Sequence, residues 1–337
     1  MTPALDLTET GPHMTVQDTG RSGTLSFGLS RGGAADRHAL AEGAALLGQG
    51  TEHAALELAG MGGAVTARGD LVVALTGAVM RAEIDGAPAA WNACHALRDG
   101  QTLRIGPATR GNYGYVSVGG GLLSPTLLGS RSMNPVAGVG APLEPGTRLA
   151  VGGAGMSRAG LGLAPLDRFG GGALRVLRGP QTGLFTAGML KRFEETTFRR
   201  DPRSNRQAAR LAQDGAGFIA EGGLSVLSDI IVPGDIQITG DGTPFVLMPD
   251  CQTAGGYPRL GTVLPCDLPR VAQAGPGDTL RFAFVDRETA LGAQRAAEAA
   301  CGALTRSVAP IVRDPSGIAD LLSYQLVDGV TAGDDLS

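Results

Sequence analysis

Between positions 249 and 263 the chain reads PDCQTAGGYPRLGTV, which sets a carboxylate, a thiol, an amide, a hydroxyl, two glycines and a phenol close together. Asp250, Gln252, Thr253 and Tyr257 carry the groups needed to polarise an amide or urea carbonyl while accepting from its N–H. Gly255 and Gly256 can take positive φ and let a ligand approach exposed backbone N–H donors. The same residues equally fit a Gly-Gly turn between strands, with Asp250 capping the backbone, Thr253 solvated and Tyr257-Pro258 packed on a barrel end. Cys251 has no histidine near it in sequence, so a buried spectator thiol is its simplest role.

Two other stretches have the same double character. GRSGTLSFGLSRGGAADRHAL (20–40) runs a glycine-rich loop into a helix whose first turn holds Asp36. Such a helix start can receive an anion, with Arg21 and Arg31 supplying charge. Asp36 also suits a plain N-terminal stabiliser worth under about 1 kcal/mol. In LRVLRGPQTGLF (174–185), Gln181 can orient a substrate and Arg178 can clamp a carboxylate bidentately, although a surface turn accounts for both. Ser130-Arg131-Ser132 and Gln237 are further polar groups beside expected strands.

The elements that must carry these residues read as mainly β. Glycine occurs 54 times, aromatic residues make up 4% of the chain, and short β-like runs alternate with Gly/Asp/Pro turns, a pattern of barrels or sandwiches more than bundles. Strands are expected at 102–106, 115–120, 174–179, 235–240, 244–249 and 279–285, and helices at 35–48 and 286–304. The glycine-rich, aperiodic stretch 151–172 is the natural connection between two units. The chain therefore divides into 1–160, 161–290 and a C-terminal helix and tail over 291–337, in which PSGIADLL (315–322) reads as a short docking helix. Asp85-Gly86-Ala87-Pro88 before Gly100, and Asp241-Gly242-Thr243-Pro244 before Gly277, form a faint internal echo. The opening peptide falls inside the longer second interval, where a rigid scaffold can present an enlarged loop.

Composition excludes several function classes. With 337 residues, 43% of them hydrophobic, and a net charge of -4, the chain reads as a soluble globular protein without a nucleic-acid role. Its most apolar run, LVVALTGAVM (71–80), is about half the roughly 20 residues a bilayer demands. The N-terminal stretch lacks a secretory pattern, and the expected location is the cytoplasm. Four cysteines without CxxC spacing and four scattered histidines point to neither a disulfide framework nor a metal site. Lys191 is the sole lysine, and no phosphate-loop motif is present.

VQDTGRSG (16–23), GGAADRHAL (32–40), ALELAG (55–60), VSVGGG and LLGSRS (116–132), RGPQTGLF (178–185), DIQITGDGTPFVL (235–247), QTAGGYP (252–258) and AQAGPGD (272–278) resemble, in order, the allophanate hydrolase subunit 2 family, also called carboxyltransferase subdomain A and B. That family includes the C-type subunit of bacterial 5-oxoprolinase, the carboxyltransferase region of urea carboxylase and an antagonist of a histidine-kinase inhibitor. The resemblance implies two cyclophilin-like β-barrel subdomains with a few short helices. It implies ATP-dependent opening of 5-oxoproline to glutamate, with ATP bound together with a partner protein. The implied partners are the B-type and A-type subunits of the same system, together with a small amide or lactam substrate. The alternatives are carboxyl transfer from a separate biotin carrier, or a non-catalytic regulatory module. Under the first reading Gln252, Thr253 and backbone amides polarise the lactam carbonyl, Asp250 or Glu57 acts as base or holds the N–H, and Tyr257 joins them. Gly255, Gly256, Gln237, Gln181, Arg178, Asp36 and Arg206 complete the substrate contacts. The chain departs from the family pattern at Ala44, Gln49, Met133 and 204–208, and at Cys251, where a basic residue is frequent.

Overall fold

The computed structural model describes residues 2–153, 157–221 and 226–311, and they form the expected mainly β architecture. In chain order the first unit comprises β1 (Ala4–Glu9), β2 (Thr15–Gln17), α1 (Arg37–Leu47), β3 (Ala55–Ala59), β4 (Ala64–Arg68), β5 (Leu71–Ile84), β6 (Ala87–Ala89), β7 (Ala93–Leu97), β8 (Thr102–Val118), β9 (Arg148–Ala150) and β10 (Leu161–Gly162). The second comprises β11 (Gly172–Leu177), α2 (Ala187–Glu195), β12 (Phe198–Arg200), β13 (Ala208–Ala212), β14 (Asp229–Ile230), β15 (Asp235–Ile238), β16 (Pro244–Leu247), β17 (Ala254–Gly255), β18 (Arg259–Val263), α3 (Leu268–Gln273) and β19 (Thr279–Val285). Helix α4 (Arg287–Ala303) and strand β20 (Ala309–Pro310) follow.

The first unit is an eleven-stranded antiparallel sheet running β20-β10-β7-β5-β8-β4-β1-β9, with β2, β3 and β6 added to its flanks. Its spine is the long antiparallel β5–β8 pair. The sequence reads β8 as two short strands because Gly-Pro and Arg-Gly-Asn interrupt it. In the fold Gly111, at φ +85°, keeps the strand continuous while the ladder shifts register opposite. The second unit is a closed barrel, β11-β18-β15-β16-β13-β12-β19, sealed by the parallel β11–β19 pair. Both members of the internal echo are hairpin turns, β5–β6 and β15–β16, each with its glycine at positive φ.

The expected division at 160 falls just before β10, which still pairs with β7 of the first sheet. After α4 the chain returns to that sheet, where β20 pairs with β10. The expected docking helix over 315–322 lies outside the described residues. Among the described residues no helix is long and apolar enough to cross a membrane.

The helices form where their caps dictate. Asp36 accepts from Ala39 N at 3.2 Å to start α1, and Gly48 ends it at φ +63°. Asp286 starts α4 by accepting from Thr289 N at 2.7 Å. Helix α1 lies directly on β8: a Cβ at Gly43 would sit 2.4 Å from Ser117 Oγ, so only glycine permits that approach. One hydrophobic core runs through both units. Phe193, Phe198, Phe218 and Phe282 stack inside the barrel with centroids 5.0–5.8 Å apart. The same cluster continues into Ala39, Leu40, Tyr113 and Tyr115 of the first unit.

Candidate functional site: a cleft beside a buried ion chain

Arg206 stands just before β13 and is 8% exposed. Its Nε and Nη2 donate to Asp250 at 2.7 and 3.0 Å, its Nη1 donates to Glu57, and Nη2 also reaches Gly33 O at 2.8 Å. Burial disfavours its charge, but Glu57 and Asp250 overcome that and raise its proton affinity above the ordinary guanidinium value. The other oxygen of Glu57 accepts from Ala35 N (2.8 Å) and from the Tyr115 hydroxyl (2.6 Å). Burial and the Glu57 charge hold that phenol well above its usual pKa, so it stays protonated and donates. Tyr115 Oη in turn accepts from Asp36 N at 2.8 Å.

From Asp36 the chain of contacts continues to the connector and the barrel. Arg168 donates to Asp36 at 2.5 Å and forks onto both oxygens of Glu42 at 2.7 Å. Gln273 Nε2 donates to Asp36 at 2.7 Å and to Tyr113 O at 2.8 Å, while its Oε1 accepts from the backbone N–H groups of Asn112 and Tyr113. Asp250, Arg206, Glu57, Tyr115, Asp36, Arg168 and Glu42 thus form a continuous buried series that crosses from barrel to sheet.

A cleft of about 300 Å³ opens beside the Asp250 end of this series. One wall is Asp250–Ala254, and the other is the loop 28–30 with Asn134, Val136 and Ala137. Asp250, Gln252 and Thr253 all line this cleft. Asn134 Nδ2 donates to Ser30 Oγ at 3.1 Å and locks the far wall. That wall is also stapled by Asp18, whose carboxylate accepts from Ser130 Oγ (2.6 Å), Ser132 Oγ (2.5 Å), Arg131 N (2.7 Å) and Gly20 N (2.8 Å). Burial pushes the Asp18 pKa up, yet these four donors outweigh it and hold it below the usual carboxylate value.

That depression has a sign that can be checked. A carboxylate whose folded pKa lies below its unfolded one stabilises the fold above the unfolded value of about 3.9, and the contribution disappears as pH falls through the lower folded pKa. Asp18→Asn is therefore expected to lower stability at pH 7 by about 1–3 kcal/mol. The gap to the parent protein should narrow as pH falls below the unfolded value and through the lower folded one, read as urea midpoints across pH. A gap that widens on acidification would refute this account of Asp18.

Other expected contacts are placed differently. Neither Asp250 nor Glu57 is a free base: both are buried, at 2% and 0% exposure, with oxygens taken by Arg206. Arg206 and Asp36 are likewise fully engaged in ion pairs and hydrogen bonds inside the protein, and neither lines the cleft. Gly255 and Gly256 do not adopt positive φ. Gly255 pairs with Asp229, and a Cβ there would lie 2.7 Å from Gln237 Nε2, so close packing is what selects glycine. Gln237 Nε2 is buried against it without a hydrogen-bond partner among the described residues. Gln181 accepts from Arg259 N at 3.0 Å, and Arg178 lies over the Phe284 ring at 4.8 Å, so both serve the barrel end. Tyr257 is 45% exposed and lines neither this cleft nor the larger cavity between α1 and α4. Burial, with Asp235 and Asp250 nearby, pushes the Cys251 thiol up to about 12, which removes it as a nucleophile at neutral pH.

Sequence reasoning missed Ser30 and Asn134 on the opposite wall, and Arg168, Glu42 and Tyr115 in the ion series. Gln273 lay inside AQAGPGD, which offered a signal, and Arg168 closed the glycine-rich connector without one. Among the described residues no group of three or more His, Cys, Asp or Glu side chains is arranged to hold a metal ion.

Comparison with known proteins adds the relatives. A family model described as "Carboxyltransferase domain, subdomain A and B" matches residues 27–284. The C-type subunit of 5-oxoprolinase is 32% identical in Escherichia coli and 30% in Haemophilus influenzae, each over 86% of this chain and 94% of that protein. Urea amidolyase of Saccharomyces cerevisiae is 25% identical over 85% of this chain but only 17% of that protein. The crystal structure of TTHA0988 superposes with a TM-score of 0.76 at 32% identity, over 84% of this chain and 55% of that one, so the present chain spans about half its length.

Proposed function

Since the chain belongs to the carboxyltransferase subdomain A and B family, we propose that it is the C-type component of an ATP-dependent 5-oxoprolinase, opening the lactam of 5-oxoproline to glutamate with a B-type partner. The observation that carries this reading is the likeness to the 5-oxoprolinase C-type protein along 94% of its length, against 17% of urea amidolyase. In this proposal the lactam enters the cleft, and the Gln252 amide and Thr253 hydroxyl donate to the carbonyl oxygen as negative charge develops on it. Asp250, Arg206 and Glu57 are positioning residues that hold the 250–254 wall, because their mutual ion pairs leave no carboxylate free to take a proton.

ATP is not assigned to this chain. Among the described residues the acidic side chains lining the cleft and the larger cavity beside α1 and α4 are Asp250, already held by Arg206, and Glu298, so neither of these two spaces gathers a set of carboxylates for a magnesium-bound triphosphate. Nucleotide handling belongs in this proposal to the partner, and no step here passes through it.

Reconstitution with the partner proteins tests the proposal through 5-oxoproline-dependent ATP hydrolysis. Gln252→Ala combined with Thr253→Val is expected to lower kcat by about 100-fold, the scale of losing carbonyl-stabilising donors. Tyr257→Phe should leave the rate within about twofold, the residue standing outside the cleft. Full activity in the double variant would overturn the site, and urea carboxylation with a biotin carrier in place of 5-oxoproline turnover would favour the carboxyltransferase alternative.

A further inference from the structure

Between α1, the barrel loops and α4 lies a second and larger space, a groove of about 510 Å³. Its lining is mostly carbon, from residues such as Leu25, Pro233, Met248, Pro249, Leu268 and Ala297. Helix α4 forms one side and, of its seventeen residues, buries only Ala290. A helix of that length takes most of its stability from packing an apolar face, yet Ala297 and Cys301 of α4 face the groove. Carbon surface left wet in this way forgoes about 25 cal/mol per Å². The groove is therefore shaped for an apolar occupant, and its rim sets the charge. Arg31 and Arg37, both exposed, stand on that rim. Arg31 Nε donates to Thr19 O at 3.2 Å, and among the described residues neither guanidinium is ion-paired.

One segment of this chain carries the complement. In residues 312–337, Ile318, Leu321, Leu322 and Leu326 recur at the spacing of one helix face, and five aspartates stand against a single arginine. Its reach suffices. Ile311, where the described chain stops, donates to Gly160 O, and Gly160 N donates to Cys94 O. Cys94 packs with Leu304 on Ala45, Leu46 and Leu47 at the far end of α1, whereas the groove lies at its start, beside Arg37 and His38. The eleven residues of α1 measure about 16 Å, and the six residues 312–317 extend to about 20 Å. We infer that residues 318–326 dock in the groove between α1 and α4 of their own chain, with the leucine face inward and the aspartates toward Arg31 and Arg37. Pro249 lines this groove and Asp250 the cleft, so the occupied groove abuts the wall that carries Gln252 and Thr253.

The inference is independent of the reaction proposed above, since docking is read on the full chain alone and turnover on the complex. Thiol labelling tests it, because Cys266 and Cys301 are half-buried and line the groove, while Cys94 and Cys251 are buried outside it. Leu321→Asp combined with Leu322→Asp should speed iodoacetamide labelling of Cys266 and Cys301 by about tenfold or more and leave Cys94 and Cys251 unchanged. Arg31→Glu combined with Arg37→Glu should speed it by about three- to fivefold, the scale of two exposed ion pairs. In a separate variant, the thiol introduced by Leu322→Cys should be joined by a short bis-maleimide to Cys266 or Cys301 within one chain. Equal labelling in the parent and the leucine variant, no response to the arginine reversal, no such cross-link, or cross-links formed only between two chains would each overturn the inference. Should the leucine variant unfold, Cys94 and Cys251 would label faster too, and the Leu322→Cys cross-link then decides.

Discussion

Arg206→Leu is expected to destabilise the protein by about 3–5 kcal/mol, because it strands Glu57 and Asp250 as buried carboxylates without a counter-charge. The guanidinium joins a carboxylate on β3 of the sheet to one that follows β16 of the barrel. Removing it also takes a donor from Gly33 O. Leucine fills much of the space, so the loss is electrostatic more than a matter of volume. Replacing all three side chains by leucine should then be far milder than the single change, since an ion cluster exchanged whole for apolar groups is often near neutral. Urea denaturation of the single and triple variants reads both effects, and equal penalties would show that packing dominates. One hydrophobic cluster spans both units, so the loss should appear in a single unfolding transition.

At the other end of the series, Arg168→Leu is expected to cost a similar amount, about 3–5 kcal/mol, and to do so in a pH-dependent way. Arg168 is 1% exposed and is held by Asp36 and by both oxygens of Glu42. Burial already raises the Glu42 pKa above its ordinary value despite the arginine, and without Arg168 that rise must grow. An acid whose folded pKa exceeds its unfolded one favours folding when protonated. Its stabilising contribution is complete below the unfolded pKa of about 4.3 and is lost as pH rises through the folded one. The penalty in Arg168→Leu should therefore be largest near pH 8 and shrink toward pH 4.5, the opposite of the trend for Asp18→Asn. Melting temperatures of parent and variant across that range check the slope, and a penalty independent of pH would contradict the role given to Glu42.

Local rules made the elements legible and left their meeting place obscure. Asp36 and Gly48 bracket α1 in the sequence as they do in the fold, and the alternating runs at 235–247 and 279–285 announce barrel strands. The 250–254 wall was visible because its polar residues are contiguous. The roles within it were less so: Asp250 looks like a base until Arg206, distant in sequence, is found on it at 2.7 Å. Gly255-Gly256 suggests a positive-φ turn, whereas contact with Gln237 is what excludes a side chain. Tyr257 sits beside the cleft in sequence and outside it in space, since it lies in the exposed bend between β17 and β18. Arg168, Tyr115 and Gln273 became visible only through three-dimensional pairing, in which residues from 36 to 273 converge on one series of charges.

The short pairing of Leu161–Gly162 with Ala309–Pro310 has a mechanical corollary. The chain leaves the sheet for the barrel and comes back at nearly the same spot, and the backbone N–H of Ile311 adds a bond to Gly160 O at 2.9 Å. A body anchored at both its entry and its exit resists swinging like a door on one post. Rigid-body gaping is thereby disfavoured as the route by which small molecules reach the interior.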